Sequence, residues 1–157
     1  MEIKSGFELS QKIRLGEITC EEAATSSVIE SKKWNPLINA IVEERFDQAV
    51  VKAKAMDSAL EKMNAFEREK LPPFYGVPFT CKEMFSINGL RSTLGSVPRK
   101  NRIMNFDSSI YRRLVESGAV FMGTTNIPEM GFWFECDNAV YGATKNPYNL
   151  QHTSGGS

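Results

Sequence analysis

Two short apolar runs set the strongest limit on how this chain can fold: Tyr75 to Cys81, entered from the rigid breaker Leu71-Pro72-Pro73, and Ala119 to Gly123. Each is too short for a buried helix and reads as a buried strand, the first despite Pro78 near its start. Between them the chain is rich in Gly, Ser, Thr and Asn until Asp107 and Ser108, which open a helix through Tyr111, Leu114 and Val115 that ends at Gly118. Strand, crossover helix and strand in this order point to a βαβ unit, because parallel neighbours need a connection long enough to cross the sheet. The pattern therefore predicts an α/β fold, with residues 71–157 starting a mixed or parallel sheet flanked by helices.

The stretch before it is helical. Ser5 and Glu8 have the spacing of a capping box, followed by Phe7, Leu9, Ile13 and Leu15 before Gly16. Thr19 and Glu22 repeat that spacing ahead of the small-residue face Ala23, Ala24, Ser27 and Val28, expected to run until Asn35-Pro36 stops it. A β-favouring run from Ile38 to Val42 comes next. Ala49, Ala53, Met56, Ala59, Leu60 and Met63 then recur at helical spacing and predict the longest helix. Residues 1–70 thus form a helical segment and 71–157 the start of an α/β core, within one domain. A chain of 157 residues, 41% of them hydrophobic, can furnish such a core without disulfides or metal.

Charge and cysteine usage narrow the functional classes. Nineteen basic residues balance nineteen acidic ones, so no net field draws the chain to nucleic acid or anionic lipid. Cys20, Cys81 and Cys136 are odd in number and widely spaced, which suits free thiols in a reducing compartment. One histidine and three scattered cysteines match no zinc spacing, so no metal is expected. No run approaches the ~18 apolar residues of a membrane span, and the first residues lack a signal peptide's apolar segment. The chain as given is expected to be soluble and cytoplasmic.

Lys82 ends the first strand and emerges from a strongly apolar segment. Burial disfavours a charged ammonium and can turn a lysine amine into a competent general base. A lysine snorkelling from a strand end, or paired with Glu83, accounts for the same residue more simply, and taken alone Lys82 is read that way. The closing Thr153-Ser154-Gly155-Gly156-Ser157 is either a Gly/Ser linker or a loop whose glycines let another group approach the backbone. Asn126 through Gly131 follows the second strand. There Pro128 can start a helix over the sheet edge that carries Lys82, with Asn126 read as its cap. Phe132, Trp133 and Phe134 either line an apolar substrate channel or pack on further sequence. His152 is expected as a loop hydrogen-bonder.

Three of these segments, in order, resemble the amidase signature family of serine hydrolases. They are Gly76-Val77-Pro78-Phe79-Thr80-Cys81-Lys82-Glu83 with the small-residue stretch Gly89 to Ser96; Gly118-Ala119-Val120 through Thr125-Asn126-Ile127-Pro128-Glu129; and Tyr141-Gly142 with Asn146-Pro147 leading into Gly155-Gly156-Ser157. Each motif is weak alone, and their joint order is specific. The amino-terminal helices also look like the family's, so the resemblance spans nearly the whole chain. Trp133-Phe134-Glu135 and the stretch Tyr141 to His152 look most like the fatty-acid amide hydrolase 2 type.

The resemblance implies the amidase signature fold, here incomplete, and a Ser-Ser-Lys triad. By motif Lys82 matches the general base and Ser157 the bridging serine that follows a cis peptide; Phe132, Trp133 and Phe134 are the implied substrate-binding residues. The implied reaction is hydrolysis of carboxylic amides, fatty-acid amides by the narrower likeness, through acyl transfer to a serine and without a cofactor. The implied partner is a small-molecule amide, with no nucleic acid, and membrane association of the full protein and a homodimer stay open. Ser154 stands where the family usually has proline, and Glu83 where aspartate is commoner. The nucleophile and the glycine-rich turn of the oxyanion hole are expected beyond Ser157, so this stretch alone is expected to be inactive, and poorly soluble or molten through its exposed sheet edges. Two alternatives remain: an amidotransferase subunit of the same family, with an ammonia-channelling partner and a small polar pocket, and a non-catalytic binding or regulatory fragment.

Overall fold

A computed structural model describes residues 5–156. They form helices α1 (Gly6–Leu15), α2 (Cys20–Ile38), α3 (Phe46–Leu60), α4 (Ala65–Glu69) and α5 (Ser109–Glu116), and strands β1 (Ile41–Glu44), β2 (Pro78–Lys82), β3 (Val120–Thr125), β4 (Lys145–Asn146) and β5 (Asn149–Thr153). The chain divides into two units, Met1–Glu30 with Arg45–Phe79 and Arg113–Met122, and Ser31–Glu44 with Thr80–Arg112 and Gly123–Ser157.

In the first unit the capping signals act as the sequence suggests. Ser5 Oγ accepts the Glu8 N–H at 3.1 Å, and α1 closes on Gly16 at φ 76°. At the start of α2, Thr19 Oγ1 accepts the Glu22 N–H at 3.0 Å and Glu22 Oε2 accepts the Thr19 N–H at 2.8 Å, a reciprocal capping box. The next two amides, of Cys20 and Glu21, donate to the Asp57 carboxylate of α3, each at 2.8 Å. An anion therefore sits where the helix dipole is positive and the N–H groups lack intrahelical partners. The small residues Ala24 and Ala53 are fully buried with Ile13 and Cys20. Tyr75 inserts beside them and donates its hydroxyl to Met56 O at 3.0 Å. Gly76, at φ 78°, is needed at this junction, since a Cβ there would stand 2.6 Å from Cys20 Sγ and 2.8 Å from Ile13 Cδ1.

The principal sheet has the order β1-β3-β2. β1 runs antiparallel to β3, pairing Ile41 with Thr125 and Glu44 with Gly123. β2 and β3 ascend together: Val120 N–H donates to Val77 O at 2.8 Å near their starts, and Glu83 N–H donates to Thr125 O at 2.9 Å past their ends. The sheet is thus mixed, and the strand–helix–strand order expected from residues 75–123 is realised by β2, α5 and β3.

Four expectations need correction. α2 does not stop at Asn35-Pro36; it continues to Ile38 and, at 19 residues, exceeds the 15 of α3 as the longest helix. Proline removes one helical amide, and here it does so at the third residue from the end of the helix, so almost no helix follows the break. Asn35 ties the chain beyond the helix back to it: its Oδ1 accepts the N–H groups of Ala40 and Ile41 at 2.9 and 2.7 Å, and its Nδ2 donates to Ile41 O at 2.8 Å. The strand foreseen at Ile38 to Val42 consequently starts later, at Ile41. Tyr75 to Val77 form a turn ahead of β2, which begins at Pro78. Two features were not foreseen: α4, with its Asn64/Glu67 capping box, and the β4–β5 hairpin.

Burial, reinforced by the Asp57 carboxylate, pushes the Cys20 thiol from 9.0 up to about 12. Between those values an unfolded chain ionises this thiol while the folded one keeps it protonated, so folding stability is intact below pH 9 and declines as pH rises toward 12. The denaturant midpoint is expected to drop over that interval more steeply in the native protein than in Cys20→Ala; equal slopes would contradict the assignment.

Candidate functional site

Lys82 is the last residue of β2 and is half-buried. Its carbonyl accepts the Phe85 N–H at 2.9 Å, closing a tight turn in which Glu83 is the second residue. Glu83 is fully buried. Its Oε1 accepts the Thr93 N–H and, at 3.0 Å, the Tyr141 hydroxyl, while its Oε2 accepts the Leu94 N–H at 2.9 Å. A carboxylate removed from water is tolerable only with such donors, and two backbone amides with a phenol meet that need. Burial above all, with the Glu83 charge adding to it, holds the Tyr141 hydroxyl above its usual range, so Tyr141 remains a donor. Thr93 is itself fully buried, and its Oγ1 accepts the Gly95 N–H at 3.0 Å. Leu94 adopts a left-handed φ of 54° and its carbonyl takes the Met130 N–H at 2.7 Å.

A second buried polar centre lies just past β3. Asn126 Nδ2 donates to Gly142 O at 2.9 Å and Thr144 Oγ1 at 3.0 Å, and its Oδ1 accepts the Ile127 N–H at 2.9 Å and Asn138 Nδ2 at 2.8 Å. All four hydrogen-bonding positions of the carboxamide are filled. Asn138 Oδ1 in turn accepts the N–H groups of Val140 and Tyr141, so the same network sets the segment that presents the Tyr141 hydroxyl to Glu83. Asn126 is therefore a hub and not the expected helix cap. No helix follows it, because Pro128 leads only into the single 3-10 turn Glu129–Gly131, broken by Met130 at φ 55° and Gly131 at φ 77°.

The carboxyl-terminal glycines do admit a close neighbour. Gly155 O accepts the Cys136 N–H at 2.8 Å, and a Cβ on Gly156 would overlap the Trp133 carbonyl oxygen. The aromatic segment thus lies against the residue that precedes Ser157; Ser157 itself, expected as the bridging serine, is outside the described residues. Phe132 and Phe134 are 86% exposed and Trp133 61%. His152 lies in β5 with an exposed side chain. Among the described residues no group of three or more His, Cys, Asp or Glu side chains could hold a metal ion, and no helix is long and apolar enough to cross a membrane.

The structure brings Lys82, Glu83, Thr93, Leu94, Asn126, Asn138 and Tyr141 into one unit. Glu83 as a buried acceptor, Tyr141 as its donor and Asn138 as a bridge were not foreseen. The only hint was an acidic residue following a lysine at the end of an apolar run, which a surface ion pair explains equally well.

Against known families, the model described as Amidase matches residues 22–157. The chain belongs to the amidase family. Fatty-acid amide hydrolase 2 of Homo sapiens is 37% identical over 155 residues, covering 98% of this chain and 29% of that protein. A glutamyl-tRNA(Gln) amidotransferase subunit of Oleidesulfovibrio alaskensis is 31% identical over 150 residues, covering 96% and 29%. Among solved structures, a fatty acid amide hydrolase superposes with a TM-score of 0.89 at 28% identity, covering 98% of this chain and 26% of that one. The chain thus spans under a third of the length of these relatives. The amidase resemblance read from the motifs, and the mixed α/β fold it implies, both hold.

Asn126→Ala would leave one N–H of the buried Asn138 amide, whose other N–H keeps Ile127 O, and the part-buried Gly142 carbonyl without their partner, and is expected to destabilise this amidase-family chain by about 1–3 kcal/mol. Equilibrium denaturation checks this; a loss below about 0.5 kcal/mol would mean that water replaces the hub.

Proposed function

We propose that this chain forms the amino-terminal part of one amidase domain in which Lys82 is the general base for hydrolysis of carboxylic amides by acyl transfer to a serine. The observation that carries the reading is the half-buried position of Lys82 at the end of β2 in a chain of this family. In the proposed reaction, neutral Lys82 takes a proton through Ser157 from the nucleophilic serine as that oxygen bonds to the amide carbon. The proton returns to the leaving amine as the C–N bond breaks, and water then releases the acid from the acyl-enzyme by the same relay.

Fatty-acid amides are the proposed substrates. Phe132, Trp133 and Phe134 offer apolar surface directly beside Gly156, and the name of the human relative supports the same class. The amidotransferase relative supports a second reading, which would instead want a small polar pocket. Three buried free cysteines support a reducing, cytoplasmic setting.

The test measures turnover of a long-chain primary amide and of a short polar amide by the whole protein and its Lys82→Ala variant. Long-chain turnover is expected, with kcat reduced by roughly 10²- to 10⁴-fold in the variant. Turnover confined to the short polar amide would transfer the protein to the second reading. Unchanged activity in Lys82→Ala would remove the proposed mechanism, and no turnover of either amide by the native protein would leave a non-catalytic binding module.

A further inference from the structure

The proposed base alone gives no reason for a fully buried carboxylate at the very next residue. Glu83 is not at the surface, where an acidic residue beside a lysine would be an ordinary ion pair. It reaches inward to the Thr93 and Leu94 amides and the Tyr141 hydroxyl, groups 10, 11 and 58 residues away in sequence. Removing such a group from water is costly, so its retention calls for a role that an apolar residue would not fill.

The geometry points to Glu83 as the positioning residue of Lys82. This inference rests on the reading of Lys82 as the base. The backbone before Lys82 is held by β2, and the Glu83 N–H extends the pairing to Thr125 O at 2.9 Å. After Lys82 the chain turns at once through the Phe85-to-Lys82 hydrogen bond, a conformation that a short exposed turn would hold loosely. The Glu83 side chain removes that freedom by tying the second residue of the turn to two separate segments of the same unit, 93–94 and 141. Tyr141 is itself fixed through Asn138 and Asn126, so the clamp is anchored to the end of β3. Glu83 thereby sets where the Lys82 backbone points its amine without touching substrate. The Leu94 carbonyl also holds the Met130 amide, which makes an effect on the aromatic segment the competing explanation to be separated by experiment.

The experiment uses the whole protein and its variants Glu83→Gln, Glu83→Asp, Tyr141→Phe, Lys82→Ala and Lys82→Ala/Glu83→Gln, with active sites counted by a serine-directed fluorophosphonate. A glutamine cannot accept from all three donors, because its NH₂ must face one of them. Glu83→Gln is expected to lower kcat per titrated site roughly 10²-fold with KM within about threefold of native, the pattern of a displaced catalytic group. Glu83→Asp, which keeps the charge on a shorter stem, is expected to regain about tenfold of that loss, and Tyr141→Phe to lose about three- to tenfold. In the Lys82→Ala background Glu83→Gln should cost little more, since nothing remains to be positioned.

A loss expressed only in KM, or one that vanishes once active sites are counted, overturns the inference. So does an additive loss in the double variant. Should Glu83→Gln not fold, full kcat in folded Tyr141→Phe overturns it. Native kcat in Glu83→Gln while Lys82→Ala is inactive defeats this inference alone; native activity in Lys82→Ala defeats the underlying reading of the base and the inference with it.

Discussion

A carboxylate held away from water must be answered by donors, and the arrangement around Lys82 follows from how Glu83 is answered. Two amides of the 93–94 segment and the Tyr141 hydroxyl converge on it. To bring them there the chain accepts a left-handed Leu94 and threads residues 138–144 past the end of β3. The strain at one non-glycine φ costs on the order of 1 kcal/mol, whereas an unanswered buried carboxylate would cost several. The local conformation therefore yields to the polar network.

Asn126 does the complementary work for neutral groups. Its carboxamide satisfies two donors and two acceptors, each from a segment with no regular ladder of its own, and so substitutes for secondary structure where β3 ends. The first unit shows the same economy at a helix start. Asp57 takes the amides of Cys20 and Glu21, and the small faces of α2 and α3 bury Ala24 and Ala53 completely. In both units a side chain of Asp or Asn completes backbone hydrogen bonding that no ladder provides.

The aromatic segment has a different character. Phe132 and Phe134 are almost fully exposed, while the Trp133 carbonyl lies close against Gly156 and the Cys136 N–H just beyond donates to Gly155 O. Large apolar side chains presented outward suit the substrate surface proposed above, and the segment that carries them lies against Gly156.

Signals that act within a few residues were legible from the chain itself. The Ser5/Glu8 and Thr19/Glu22 spacings, the stop at Gly16, the order of strand, helix and strand over residues 75–123, and Lys82 at a strand end all depend on near neighbours. The ordered motifs also pointed to the amidase family. The Asn64/Glu67 cap was equally local but passed unseen, because no apolar periodicity follows it over the five residues of α4. The end of α2 past Pro36 rests on Asn35 bonding Ala40 and Ile41, again near neighbours, whereas the hub at Asn126 and the burial of Glu83 were decided by tertiary structure alone. Both of the latter depend on which donors and acceptors arrive from elsewhere in the chain, Tyr141 reaching Glu83 across 58 residues. Residue type states how many hydrogen bonds a side chain can make; only the folded chain decides whether they are made to water or to one another.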